Sequence, residues 1–127
     1  MKRERFEELV IEALSELPEE FQDKLENIDV VIADRPTSRQ LAKMELKRGI
    51  TLLGLYEGVP LTKRSRQYGM VPPDKITIFK KPIEYQCRSE REIAMEVQRV
   101  VRHEIAHYFG MDEASLERIE NETQELR

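Results

Sequence analysis

Along residues 4–17, Phe6, Leu9, Val10, Ala13, Leu14 and Leu17 recur at three- and four-residue steps among glutamates and arginines. That spacing predicts an amphipathic helix with a charged outer face. Pro18 ends it and opens a short second helix through Leu25, because proline fits the first turn of a helix. Residues 28–36 are a β-branched run closed by Asp34, Arg35 and Pro36, which predicts a buried strand. Residues 37–49 have a poor pattern, compatible with helix or loop. Residues 50–58 predict a second strand with a glycine inside it, and residues 59–74 a long, irregular, basic connection. Residues 75–82 alternate apolar and charged side chains, which predicts a strand with one exposed face. Ser89 followed by Glu92 is a capping box, and it predicts a long helix to Phe109. Gly110 stops that helix, since glycine readily takes the left-handed conformation. A last short helix is expected over residues 114–125, burying a narrow stripe of Leu116 and Ile119. No internal repeat or low-complexity segment interrupts the pattern.

Composition narrows the class. The chain has 127 residues, which fits a single domain over residues 1–127. A domain of this size buries about two-thirds of its unfolded surface and folds without disulfides or oligomerisation, so a monomer is expected. Cys87 is the sole cysteine, which excludes an internal disulfide and a paired-cysteine metal site. A reducing, cytoplasmic setting is the simplest inference. The net charge of −4 argues against nucleic acid as the main partner. No apolar run approaches the ~20 residues that span a bilayer, so no membrane partner is expected. The N-terminal stretch is too interrupted by glutamate for a signal peptide. Charged residues make up 36% of the chain against about 25% on average, an enrichment also met in thermophile proteins.

The long helix carries the candidate chemistry. With Val101 at the centre of its apolar face, Ala94, Val97, Ile105 and Tyr108 share that face at about 100° per residue. Val100 and Ile93 lie on one flank. His103 and His107, both histidines of the chain, lie just past that flank, one turn apart. Glu104 falls between Val97 and Val100, on the buried side. A carboxylate there is costly without a partner, and the groups beside it are the two imidazoles. A divalent cation between them would compensate the charge, directly or through a water.

Two imidazoles at positions i and i+4 reach one metal ion from one helix face. Glu104 is displaced in angle, so it approaches a metal-bound water rather than the metal and can take that water's proton. Zinc lowers the pKa of its water toward ~7, so the carboxylate can help generate a hydroxide nucleophile. A catalytic zinc site has three protein ligands, so one more must come from beyond Gly110. Asp112 and Glu113 are the candidates. Asp112 also makes a good N-cap for the last helix, and Glu113 an ordinary first-turn acid. The favoured division has Asp112 capping and Glu113 ligating.

These residues resemble the zincin metallopeptidases. His103-Glu104-x-x-His107 is their HExxH signature, and His103 through Glu113 follows the extended metzincin-like pattern HExxHxxGxx plus a third ligand. Metzincins proper have His at that third position, and some relatives Asp; here it is Glu113, with Asp112 one place earlier. Metzincins also continue to a methionine-containing turn, whereas this chain has no methionine beyond Met111. It looks instead like the small bacterial minimal zincins, or zincin-like metallopeptidases. Residues 52–62 and 74–84 look like that family's central segments, so the resemblance covers roughly residues 50–117. It implies an α+β domain in which a small mixed sheet packs against the motif helix and flanking helices. It implies one zinc per chain held by His103, His107 and Glu113, with Glu104 as general base. The expected reaction is peptide hydrolysis: the metal-bound water, activated by Glu104, attacks the carbonyl of a peptide or protein substrate. A sheet edge beside the metal can pair with such a peptide, but the sequence does not say which strand.

Two other functions fit part of the pattern. A metal-containing binding or regulatory module without catalysis would share the ligands. A metal-dependent ribonuclease of the rRNA-maturation type also uses clustered helix histidines, but favours three of them and a basic surface. The oxyanion stabiliser expected near a catalytic zinc is sought among Tyr56, Tyr68, Tyr85 and Tyr108, with Tyr108 on the helix core face and therefore packing. Lys63, Arg64 and Arg66 read as a solvated loop, and Cys87 as an ordinary small residue.

Overall fold

The structure is a computed structural model that describes residues 1–25, 28–43, 52–58 and 74–111, with Ala114, Ser115 and Arg118 beyond them. Its elements run α1 (Arg3–Ser15), α2 (Glu19–Gln22), β1 (Ile28–Ala33), α3 (Ser38–Lys43), β2 (Gly54–Glu57), β3 (Asp74–Phe79), α4 (Lys80–Gln86) and α5 (Glu90–Phe109). The fold is α+β: a small mixed sheet packed against helices, with α5 the longest among the described elements. The sheet order is β1-β3-β2, with β1 parallel and β2 antiparallel to β3.

The predicted first helix forms as α1 and buries Phe6, Leu9, Val10 and Ala13. Pro18 stands at the N-cap of α2, which is shorter than expected and ends at Gln22. The core joins these residues to Ile28, Ile76 and Ile78 of the sheet and to Val97, Val101 and Ile105 of α5. The ambiguous stretch after Pro36 becomes α3. Its N-terminus is fixed reciprocally: Gln40 N–H donates to Thr37 Oγ1 at 3.0 Å, and Thr37 N–H donates to Gln40 Oε1 at 2.9 Å. This is a capping box of the Thr-x-x-Gln kind.

Two strand expectations are corrected. β1 is an edge strand among the described residues, not a fully buried one. Ile28 is buried, but Asp29 and Val31 face outward, because only β3 pairs with β1. Its outer side is partly covered by Arg3, whose guanidinium donates to Ile32 O at 2.7 Å. β3 is the central strand, and Lys75 alone of its residues is exposed. Ile76 and Ile78 face the helical core, and Thr77 and Phe79 are buried on the opposite face, so both faces of β3 are covered despite its alternating sequence. β3 also stops at Phe79; Lys80, Lys81 and Pro82 belong to α4, where Pro82 sits in the first turn.

α5 begins as expected. Ser89 Oγ accepts from Glu92 N–H at 3.1 Å, while Glu92 Oε2 reaches back to Arg88 N–H at 2.6 Å. It ends at Gly110, with φ 70° and ψ 26°. There Gly110 N–H donates to His107 O at 3.0 Å and Met111 N–H to Ala106 O at 2.9 Å, the Schellman pair. The basic connection over residues 59–73 lies outside the described residues, as does most of the last predicted helix; Ala114, Ser115 and Arg118 are helical.

Candidate metal centre

The last two turns of α5 carry the site. Val97, Val101 and Ile105 anchor the helix to the core and leave the neighbouring angular sector at the sheet edge. His103 and His107 emerge there with side chains 39% and 47% exposed, whereas the Glu104 side chain is only 6% exposed. The imidazole centroids are 4.4 Å apart with their planes at 64°. Glu104 Oε1 lies 3.4 Å from His107 Nδ1, and Glu104 Oε2 lies 4.0 Å from His103 Nε2. One ligand atom from each of the three residues falls within 4.8 Å of the others.

The buried carboxylate has a direct partner in the backbone. Tyr56 N–H of β2 donates to Glu104 Oε1 at 2.9 Å. In the sheet Tyr56 faces Ile76, and this N–H points away from β3 toward the helix. The charge of Glu104 therefore meets both a fixed amide dipole and the imidazoles, where the sequence pointed to the imidazoles and a cation. Gly54 makes the approach possible. A Cβ at that position would fall 2.6 Å from Val100 Cγ1 and 3.2 Å from Glu104 Cγ. Nothing local in the sequence signals the Tyr56 contact, but the glycine inside a strand pattern is the mark of a close backbone approach.

Beside the histidines lies a cavity of about 230 Å³ lined by Leu52, Leu53, Gly54, Arg99, Val100, His103 and Glu104. A larger one of about 490 Å³, including Cys87, Met95 and Arg102, lies up the helix and shares only Arg99 with it. Size does not make the larger cavity the reactive one, since it holds none of the three clustered side chains. Burial pushes the Cys87 thiol up, with Glu96 and Glu92 adding to the effect, so it is no ready nucleophile.

The donor set fits a divalent cation such as zinc. Two imidazole nitrogens stand on one helix face with a buried carboxyl group beside them, a donor set that suits zinc. Asp112 and Glu113 lie outside the described residues, so the structure brings together His103, Glu104 and His107 alone of the expected set. Among the tyrosines, Tyr108 is buried and donates to Lys24 O at 3.1 Å, as the packing reading expected. Tyr85 is 81% exposed on α4 beside Arg35, and Tyr68 is outside the described residues. Tyr56 packs edge-on to Tyr108, with centroids 5.8 Å apart.

Comparison with known proteins bears on the fold and the family. A conserved hypothetical protein from Thermo thermophilus has a similar solved structure, with a TM-score of 0.56 and 22% identity over 86% of this chain and 94% of that one. At that identity the likeness speaks for the fold alone. No curated protein matches the sequence. The family model described as zincin-like metallopeptidase matches residues 25–123, which is most of the chain and includes the whole motif. The chain belongs to the zincin-like metallopeptidase family.

Proposed function

We propose that this protein is a zinc-dependent peptide hydrolase in which Glu104 is the general base and His103 and His107 are metal ligands. Glu113 is the third ligand in this reading, and Asp112 the cap of the following helix. One observation carries the proposal: a carboxylate 6% exposed is fixed by a backbone amide between two imidazoles on the same helix face. A cation held by the imidazoles would supply Lewis acidity to a water and a substrate carbonyl. The chain's own residues do the rest. Glu104 Oε1 is held by Tyr56 N–H, so Oε2 is the oxygen turned to proton transfer. It accepts a proton from the attacking water and delivers it to the leaving amine. β2 lies at the sheet edge beside the site among the described residues, and an extended peptide is proposed to lie beside it, using backbone groups other than Tyr56 N–H, which Glu104 occupies.

The whole chain is taken as the catalytic unit, a monomer in the cytoplasm, with the lone Cys87 as the ground for a reducing compartment. Among the described residues no helix is long and apolar enough to cross a membrane.

Metal content by mass spectrometry on untagged protein comes first. About one zinc per chain is expected in the wild type, lost in His103→Ala. Glu104→Gln is expected to keep the metal and lose ~10²-fold or more of peptide cleavage. Full cleavage by Glu104→Gln would remove the proposed mechanism. Bound metal with no cleavage of a broad peptide library by wild type would leave a non-catalytic metal module. Loss of metal in Glu113→Gln but not Asp112→Asn is the expected ligand assignment.

A further inference from the structure

β2 and α5 run side by side in the same direction. Gly54 lies against Val100 and Glu104, Tyr56 N–H donates to Glu104 Oε1 at 2.9 Å, and the Tyr56 ring meets Tyr108 edge-on at 5.8 Å. The contacts keep step because two residues of strand advance about 6.6 Å and four residues of helix about 6 Å. Glu104 and Tyr108 are one turn apart on the same face of α5. Tyr56 is thus gripped twice, its amide by Glu104 and its ring by Tyr108. A slide of β2 by one residue would carry that amide about 3.3 Å along the helix, beyond hydrogen-bond reach of Glu104. Tyr108 is itself anchored from the other side. It is 1% exposed, and its hydroxyl donates to Lys24 O at 3.1 Å, just past the end of α2. Its ring packs on Phe109 at 5.1 Å, and Phe109 meets Phe21 of α2 at 4.7 Å.

We infer that Tyr108 is a positioning residue for Glu104. Through the Tyr56 ring it sets the register of β2 on α5, and with it the amide that holds Oε1 and leaves Oε2 for proton transfer. The role is exerted through Tyr56 and not on the reacting atoms. That Glu104 acts as a base rests on the hydrolase reading; that Tyr108 orients its carboxylate does not.

The Tyr56 amide proton reports this register in NMR spectra without any turnover. An amide that donates to a carboxylate makes a short, strong hydrogen bond and resonates downfield. In the metal-free full chain, Glu104→Gln is therefore expected to move this proton upfield. Tyr108→Leu is expected to move it upfield as well and to abolish its further response to Glu104→Gln. Tyr108→Phe keeps the ring and is expected to restore the wild-type position. Tyr56→Leu keeps the amide and removes the other ring from a half-buried position, so it should act as Tyr108→Leu does even if the latter fails to fold. In the zinc-loaded enzyme, Tyr108→Leu is expected to lower kcat roughly tenfold at unchanged KM and zinc content, part of the ~10²-fold or more that a general base supplies. In the Glu104→Gln background the same change should cost nothing further, because residues that act as a unit are not additive. A Tyr56 amide proton that keeps its wild-type position in the leucine variants, or a kcat loss equally large in the Glu104→Gln background, would overturn the inference. A wild type that cleaves nothing while the amide responds as expected would remove the hydrolase reading and leave the positioning role standing.

Discussion

A single methyl group separates Gly54 from a clash. Its Cβ would meet Val100 Cγ1 at 2.6 Å, closer than real Cβ contacts come, and Glu104 Cγ at 3.2 Å. Gly54→Ala is therefore expected to destabilise by about 1–3 kcal/mol, the usual effect of overpacking. Val100→Ala opens the space that the new methyl needs. The double variant should then be more stable than the sum of the single changes predicts, by about 1 kcal/mol. Denaturant midpoints of the four proteins measure this coupling, and additive losses would mean that the strain lies elsewhere. At this scale the sequence was informative where helical geometry alone decided. The buried position of Glu104 and the flanking histidines followed from residue spacing. Its amide partner did not, because Tyr56 stands 48 residues earlier and no periodicity links them.

The elements were legible wherever one face was distinct and harder to read wherever burial was two-sided. α1 and α5 each carry one apolar stripe, and both formed with nearly the expected ends. β3 looked half-exposed because Lys75 opens it, yet its other five residues are buried, on both faces of the sheet. α3 was readable from Thr37 and Gln40, whose side chains cap it reciprocally; the weak apolar pattern concealed it. α4 was missed because Lys80 and Lys81 continue the alternation of β3, while Pro82 already belongs to a first helical turn. This short helix carries a pH-sensitive contact. Lys80 Nζ lies 2.5 Å from Glu84 Oε1, and the α-amino group of Met1 lies 3.6 Å from Glu84 Oε2. Burial pushes the Glu84 carboxyl up, but Lys80 and the terminal amine together outweigh it and hold the group below the usual carboxylate range. A depressed carboxyl stabilises the fold above its unfolded pKa of about 4.3, and the contribution is lost as pH falls through the lower folded value. Glu84→Gln should cost about 1–2 kcal/mol at pH 7 and lose less stability than wild type on acidification below pH 4. Thermal melts from pH 7 to pH 3 compare the two slopes; parallel curves would show that Glu84 is not the responsible group.

For the molecule as a whole, a metal held as proposed would join the last turns of α5 to Glu113. Any ion that binds the folded state alone raises stability by mass action. Zinc at about a hundredfold over its dissociation constant should add about 2.7 kcal/mol, a melting shift on the order of 10 °C for a chain of this size. Chelation should reverse the shift, and His103→Ala should abolish it. A wild type indifferent to zinc and chelator in scanning calorimetry would count against a metal at this place.

The 48-residue span between Tyr56 and Glu104 has a consequence in time. α5 can form from local contacts alone, with both histidines already one turn apart, but long-range contacts close late in folding. Glu104 is fixed only once β2 has docked and Gly54 has come to rest against Val100. A chain in which β2 has not docked lacks the amide that fixes the Glu104 carboxylate. In the proposed reading, the general base is therefore a product of the finished fold and not of the motif helix alone.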